Sequence, residues 1–425
     1  MAAELTHAPY ELTTEQVRAM TTKMVQLLET KCIRLAGHEP AWRGLFKEAA
    51  DRVEGCRTAG ALEEQVNLVL ARGGLSHVAF FHQSAKRAPA RYAINATFTS
   101  IRCDGEAPRW MFQDVHEGGP ADRAGIKSGD TLVDVNGDVI RPPLLPTFAL
   151  GEDAEVTVQS GAEGPRRLKV VLPRPPANGK PGAKPPMAEP TSVSARMLDA
   201  GIGYLRVAFF PGVNGQRFAR EFDQALATLP GCSRLVVDLR GNLGGFVGSL
   251  RLMSHLVPGR LPIGYSLTRK GQDRGWRGAD LPCINKLPST KLETLWMGVR
   301  FLVLNRDRSI RLETEGLGPA PFHGRVAVLV NEHTLSAGEM VAAFVQENGL
   351  GTLIGTRTGG QVLGGGNFAV GHGFVLRMPA AAWYTARGAV VEGKGVAPDV
   401  EVPLVMGSGV GGVDAQLAAA VSALS

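Results

Sequence analysis

The run Asn331-Glu332-His333-Thr334-Leu335-Ser336-Ala337-Gly338-Glu339 places a serine between a short apolar run, Val326 to Val330, and an apolar stretch, Met340 to Val345. A buried strand feeding a turn and then a helix would present Ser336 at the helix start. There its hydroxyl is exposed, and the backbone N–H groups behind it point at whatever it attacks. A serine in that place serves as a nucleophile or as an ordinary helix N-cap. The segment alone leaves both open. A second run, Asp238-Leu239-Arg240-Gly241-Asn242-Leu243-Gly244-Gly245, follows the apolar Leu235-Val236-Val237. Its glycines let backbone approach a ligand closely, and their N–H groups suit an oxyanion. A tight turn or a phosphate cradle would use them too, but the lysine and Ser/Thr of a phosphate-binding loop are missing.

The elements that must carry these turns are legible as patterns. From residue 201 strands and helices alternate: Ile202 to Phe210, Phe218 to Leu229, Leu235 to Asp238, Phe246 to Leu256, then an irregular stretch at 257–322, Val326 to Val330, Leu353-Ile354, Phe374 to Met378 and Val400 to Val402. That is the pattern of a mixed α/β core. Residues 1–74 read as a helical N-terminal region, with Met20, Met24, Leu27 and Leu28, then Trp42, Leu45 and Phe46, then Leu62, Val66 and Leu70 at helical spacing. Residues 75–110 read as a strand segment joining the core. Residues 111–172 run through Val115-His116-Glu117-Gly118-Gly119-Pro120-Ala121 to Leu132-Val133-Asp134-Val135-Asn136-Gly137. This unit resembles a PDZ domain of the bacterial protease type, which binds extended peptide along a sheet edge. A small β-domain without a peptide groove is the plainer reading. The Pro-rich stretch 173–192 reads as an extended linker, and 193–425 as the α/β core.

Composition narrows the class. The chain has 425 residues and a formal charge of +6, and 44% of it is hydrophobic. Its basic surplus is dispersed and only 6% of residues are aromatic, so a nucleic-acid partner has no support. Cys32, Cys56, Cys103, Cys232 and Cys283 form no CxxC pair and read as free thiols of a reducing compartment. The first residues do not resemble a signal peptide, and no run reaches membrane-spanning length, so a cytoplasmic protein is expected. Nothing in the spacing suggests a metal site or a cofactor.

The two runs above, together with Glu392-Gly393-Lys394-Gly395-Val396-Ala397-Pro398-Asp399-Val400, occur in the order of one family. The chain resembles the C-terminal processing and tricorn-type serine peptidases, over roughly residues 75 to 403. The resemblance implies a crotonase/ClpP-like α/β peptidase core with an inserted PDZ-like domain. It places Ser336 as nucleophile, and the N–H groups of Ala337 and of Gly244 or Gly245 as the oxyanion hole. One branch of that family uses a lysine base in a TxGK motif. The matching stretch here is Thr358-Gly359-Gly360-Gln361, and Gln361 cannot take a proton at neutral pH. Lys394 comes too late to replace it. The other, tricorn-like branch has a Ser-His pair ahead of the PDZ domain and a glutamate before the GVxPD motif. This chain has Ser76-His77 and Glu392 in those places, so the resemblance is to the Ser-His-Glu branch.

The chemistry agrees with that assignment. Serine needs an adjacent base, and histidine is suited to take and return its proton. A carboxylate on the other ring nitrogen fixes the tautomer. Glu392 would orient His77 directly or through Ser76. Each residue alone has an ordinary reading. His77 could end a strand half-buried, Glu392 could be a surface charge, and Asp238 could pair with Arg240 under its turn. Glu339 is expected to face solvent or the helix start. His82 is a second candidate base. His333 lies close in sequence but need not reach the serine. The expected activity is peptide-bond cleavage through an acyl-enzyme on a peptide or protein substrate, with the PDZ-like unit holding a substrate C-terminus or gating the site. A small ester or amide hydrolase, or a catalytically silent peptide-binding protein, would share the core. Relatives often assemble, so a homo-oligomer is a further expectation.

Overall fold

Thr13 opens the first helix with a reciprocal cap. Its hydroxyl accepts from Gln16 N–H at 3.2 Å, and its own N–H donates to Gln16 Oε1 at 2.9 Å. The structure, a computed structural model, describes residues 11–425 apart from 36–38, 84–86, 103–106, 162, 175–185, 199–200, 213, 246, 300–307, 319–320 and 405–413. Cys103 and most of the Pro-rich linker lie outside the described residues. Four helices form the N-terminal region: α1 (Thr14–Lys31), α2 (Trp42–Glu48), α3 (Ala50–Glu54) and α4 (Ala59–Ala71). Val17, Met20, Met24 and Leu28 form the buried stripe of α1.

Next come β1 (Ala79–His82), β2 (Arg87–Pro89) and the short α5 (Ala90–Ala93). A five-stranded antiparallel sheet follows, built from β3 (Ala96–Ile101), β4 (Arg109–Val115), β5 (Thr131–Val135), β7 (Ala154–Gln159) and β8 (Arg166–Val170) in that order. Helix α6 (Pro120–Arg123) and strand β6 (Thr147–Ala149) lie within the same stretch, and β6 pairs with β2. Strand β3 pairs with β4, so it belongs to the PDZ-like sheet and not to the core segment in which the sequence reading placed residues 75–110. The reason is physical: Phe98 packs on Trp110 and Phe112 of β4.

The remaining elements are β9 (Val193–Met197), β10 (Ile202–Val207), α7 (Gln216–Ala227), β11 (Arg234–Asp238), α8 (Ser249–His255), β12 (Pro262–Thr268), α9 (Arg269–Asp273), β13 (Cys283–Ile284), α10 (Lys291–Gly298), β14 (Ile310–Glu313), β15 (Arg325–Val330), α11 (Ala337–Glu347), β16 (Thr352–Gly355), β17 (Gly364–Gly371), β18 (Phe374–Thr385), β19 (Val400–Glu401) and α12 (Ala415–Leu424). They build two sheets. The first runs β19-β16-β15-β11-β10-β9, parallel except for the last pair. Buried residues of α7, α8 and α11 pack on one face, and Ala420 and Leu424 of α12 on the other. Cover on both faces explains why β11 and β15 read as unbroken apolar runs.

The second sheet runs β1-β18-β12-β14-β13, with β17 also on β18. Most of the stretch that reads as irregular in sequence is therefore ordered: β12 lies beside β18, and β14 beside β12. The helical region packs against this sheet through Phe80, Val370, Phe374, Leu376 and Met378, so it shares a core with the peptidase-like unit.

Candidate active site

Adjacent parallel strands β11 and β15 pair in register, Asp238 opposite Leu329, and both site turns leave from their carboxyl ends. In open α/β sheets that is where ligands bind. Ser336 ends the second turn with φ 52° and ψ −115°. A non-glycine residue in that region is strained, at a cost of roughly 1–3 kcal/mol, and needs surrounding structure to hold it. Its N–H donates to Gln361 O and to Glu339 Oε2, both at 3.1 Å. Glu339 also accepts from Thr358 Oγ1 at 2.6 Å, Gly360 N at 2.7 Å and Gln361 N at 2.8 Å. Of the two expected settings, solvent or the helix start, it takes the helix start; it is fully buried there, and burial raises its pKa against those donors. Glu339 thus clamps the 358–361 loop to the start of α11.

Facing this turn, Gly244 has φ +78°, and a Cβ there would lie 2.6 Å from Ser336 Cβ. Only glycine lets the two turns approach so closely. The two candidate oxyanion donors on this turn differ. Gly244 N–H donates to Asn242 Oδ1 at 2.8 Å and is committed there. Among the described residues, the N–H groups of Gly245 and Ala337 meet no protein acceptor.

His77 follows the α4 C-terminus by way of Gly73, whose Cα lies against the Trp42 ring with no room for a Cβ. Its ring and two partners form a chain. Ser76 Oγ lies 3.1 Å from Glu392 Oε2 and 2.7 Å from His77 Nδ1. The carboxylate accepts, so the single hydroxyl proton of Ser76 goes to Glu392 and His77 Nδ1–H donates to Ser76. That leaves Nε2 as the basic nitrogen. Glu392 is buried and also accepts from Ser76 N and Val362 N, each at 2.8 Å. Burial, with the nearby Arg377 and Arg91 cations, pushes the His77 pKa down to about 4. Among the described residues no hydrogen bond joins His77 to Ser336. The link between the two halves runs through backbone instead: Gln361 O holds Ser336, and the next residue, Val362, holds Glu392.

Other sequence candidates lie elsewhere. His82 stacks edge-on to Phe374 at 4.9 Å. His333 Nε2 bonds Phe98 O at 3.1 Å, turned toward the PDZ sheet. Asp238 and Arg240 do pair under the turn, at 2.7 Å. Among the described residues no group of His, Cys, Asp and Glu is placed to hold a metal ion, and no helix is long and apolar enough to cross a membrane.

The sequence reading missed the lattice that fixes the turns. Asn242, fully buried, donates to Val207 O at 2.7 Å and accepts from Gly244 N. Asn331 Oδ1 accepts from Gly241 N at 2.9 Å and His333 N at 3.1 Å, tying the two turns together. Its amide donates to Asp114 at 3.1 and 3.2 Å. Asp114, on β4, also accepts from Thr97 Oγ1 at 2.7 Å. His116, beyond β4, meets Gly241 O at 3.0 Å. The PDZ-like strand therefore touches both turns. Buried asparagines in turn sequences were the one available signal.

Residues 201–402 match the model of peptidase family S41, and residues 111–143 match that of a PDZ domain. The 201–402 segment is thus that of peptidase family S41, whose members are serine-type peptidases, and a PDZ domain precedes it. Tricorn protease homologue 2 of Streptomyces coelicolor is 26% identical over 85% of this chain and 28% of its own length. The carboxy-terminal processing protease CtpA of Bacillus subtilis is 24% identical over 73% of this chain and 57% of its own. The chain thus spans less than two thirds of these relatives. The solved photosystem II D1 C-terminal processing protease shares the fold at TM-score 0.54 and 18% identity, over 92% of this chain and 94% of that one.

Proposed function

We propose that this protein cleaves peptide bonds by an acyl-enzyme route in which Ser336 is the nucleophile and His77 the base. The observation that carries the reading is the Glu392–Ser76–His77 chain, formed in a protein whose alternative base position holds Gln361. Ser336 Oγ attacks the substrate carbonyl while His77 Nε2 takes its proton. The tetrahedral oxyanion lies between the N–H groups of Ala337 and Gly245. Gly244 supports the hole by its lack of a side chain and not by donating, since its N–H is spent on Asn242. His77 then protonates the departing amine, leaving the acyl-enzyme. Water repeats the sequence: His77 takes its proton, the acyl group leaves as the acid, and Ser336 regains its hydrogen. In the absence of substrate the Ser336–His77 bond is open, as such bonds often are, and it tightens on binding. Extended peptide on the PDZ sheet edge would supply the substrate's remote anchoring, and the relatives' habit of assembly suggests a homo-oligomer. The assembled chain does not favour a catalytically silent binding protein.

A fluorophosphonate probe tests the reading directly. Wild type is expected to label at Ser336. Ser336→Ala should not label, and His77→Ala should label at least about a hundredfold more slowly. Equal labelling of Ser336→Ala would end the assignment.

A further inference from the structure

Strand β9 ends the first sheet, and its outer edge is open. Ala208 N–H donates to Ser192 O at 2.9 Å, and Leu198 N–H donates to Ile202 O at 2.8 Å. These bonds fix the phase of the β9–β10 ladder. Ser194 and Arg196 turn their backbone groups toward β10, and Val193, Ala195 and Met197 turn theirs away. Among the described residues, the N–H and C=O groups of those three meet no protein partner. Open edges are usually blunted by a lysine, a proline or a bulge. The strand Val193-Ser194-Ala195-Arg196-Met197 has none of these and pairs with β10 without a register shift. Its charged residue, Arg196, lies over the Tyr204 ring at 5.0 Å. Beside the edge a groove of about 420 Å³ runs between β9 and α7, and Val193, Ala195, Gln224, Ala225 and Thr228 are among its walls. Val193 and Ala195 pack into the core on the α7 face. Met197 shares that face by alternation and is 41% exposed. The edge thus carries both an unfilled groove and an exposed apolar side chain.

We propose that β9 is a self-association edge, at which two copies of this chain pair their β9 strands antiparallel about a two-fold axis through Ala195. The occupant follows from the strand's own sequence. A two-fold axis sets Ala195 opposite the partner subunit's Ala195 and Val193 opposite the partner subunit's Met197. These are the residues whose backbone groups point outward, so each pair exchanges both of its hydrogen bonds. Ser194 faces the partner subunit's Arg196, and no like charges meet. On the α7 face, Met197 of each copy falls beside the other copy's Val193, at the groove. A register shifted two residues toward the linker would set Met197 against Thr191, whose N–H is already spent on Glu117 O at 2.8 Å. An unrelated extended peptide would satisfy the same backbone groups. The match of Val193 to Met197 and of Ser194 to Arg196 favours a second copy. The proposal rests on the homo-oligomer suggested above, to which it gives a surface, and not on the roles of Ser336 and His77.

Sedimentation velocity over a dilution series reads the assembly. Wild type is expected to move from monomer to dimer as concentration rises. Ala195→Pro removes an outward N–H and no bond of the β9–β10 ladder. It should weaken dimerisation at least about tenfold and keep its thermal transition. Ala195→Cys tests the register. Residues facing each other in such a pair have Cα atoms about 5.5 Å apart, within disulfide reach. Mild oxidation should therefore link two Ala195→Cys chains, with wild type as the control for the native cysteines. It should not link Met197→Cys chains, whose substituted positions lie roughly 13 Å apart. If Ala195→Pro unfolds, the cross-link decides. An Ala195→Pro variant that dimerises as tightly as wild type, or equal linking of Met197→Cys and Ala195→Cys, refutes the β9 surface alone. A wild type that stays monomeric throughout refutes the surface and the homo-oligomer together. Amide exchange at Val193, Ala195 and Met197 should be fast in the monomer and slow in the dimer. Slow exchange in the monomer would mean that the chain covers its own edge, which overturns the proposal.

Discussion

A hydroxyl between Glu392 and His77 changes what each residue costs to lose. Ser76→Ala leaves His77 Nδ1 without its acceptor, while Glu392 keeps the Val362 and Ser76 N–H groups. The expected kcat/KM loss is about 10–100-fold, smaller than for His77→Ala. Glu392→Gln should fall between them, because it disturbs both the hydroxyl and the backbone contacts. Steady-state kinetics on one peptide ranks the three, and a Ser76→Ala loss as large as that of His77→Ala would contradict the relay. The pH profile carries a second signature. His77 must be neutral to act as base, and its folded pKa lies near 4, below the ordinary 6.5. Activity is therefore present above that value and lost as pH falls through it. The acid limb of kcat/KM should lie near pH 4, and Arg377→Gln, by removing a depressing charge, should move it upward.

At the scale of elements, two strand-to-helix turns are held apart by the width of a glycine. Gly244→Ala would set a methyl against Ser336 and force an L-residue to φ +78°. The expected result is loss of fluorophosphonate labelling with a modest fall in melting temperature, checked on the same sample. Asn242→Ala strips the partners of Val207 O and Gly244 N–H, both buried, and should cost about 2–4 kcal/mol in urea unfolding. The sequence shows the turns plainly, because strand, glycine and serine patterns are local. It also shows Ser76, His77 and Glu392, by their match to a family pattern. It hides the supports. Asp114 meets Asn331 across 217 positions and His116 meets Gly241 across 125, and no periodicity encodes such pairs. For Glu339 the sequence leaves solvent and helix start both open, for a related reason. A carboxylate in a first helical turn suits solvent as well as a buried clamp, and only the folded loop at 358–361 decides. The strands at 257–322 were missed because β12 owes its place to β18, more than a hundred residues on, and not to strong local alternation.

At the scale of the molecule, the site is a joint among three units. The helical region sets the path to His77, the PDZ strand braces both turns, and the two sheets of the core bring Ser336 and Glu392. Removing residues 11–74 would expose Phe80, Phe374, Leu376 and Met378, so a core starting at residue 75 is expected to aggregate, read by size-exclusion chromatography. His116 gives the PDZ brace a pH dependence. Burial and Arg206 push its pKa to about 4, against about 6.5 unfolded. Between those values the unfolded chain binds the extra proton, so stability is full above pH 6.5 and falls as pH drops toward 4. Urea unfolding should show less stability at pH 5 than at pH 7, with His77, depressed in the same way, adding to the fall. The slope should be shallower in His116→Asn.

The proposed catalytic groups are also spread in time. A ribosome makes His77 first, Ser336 more than 250 residues later, and Glu392 another 56 after that. A nascent chain stopped at residue 391 would hold a base and a nucleophile but no carboxylate to set the tautomer. It would also lack the residue that pins Ser76 and Val362 together. Under the proposed assignment, synthesis past Glu392 would be the step that arms the site, and a growing chain would be protected from its own chemistry by the order of its codons.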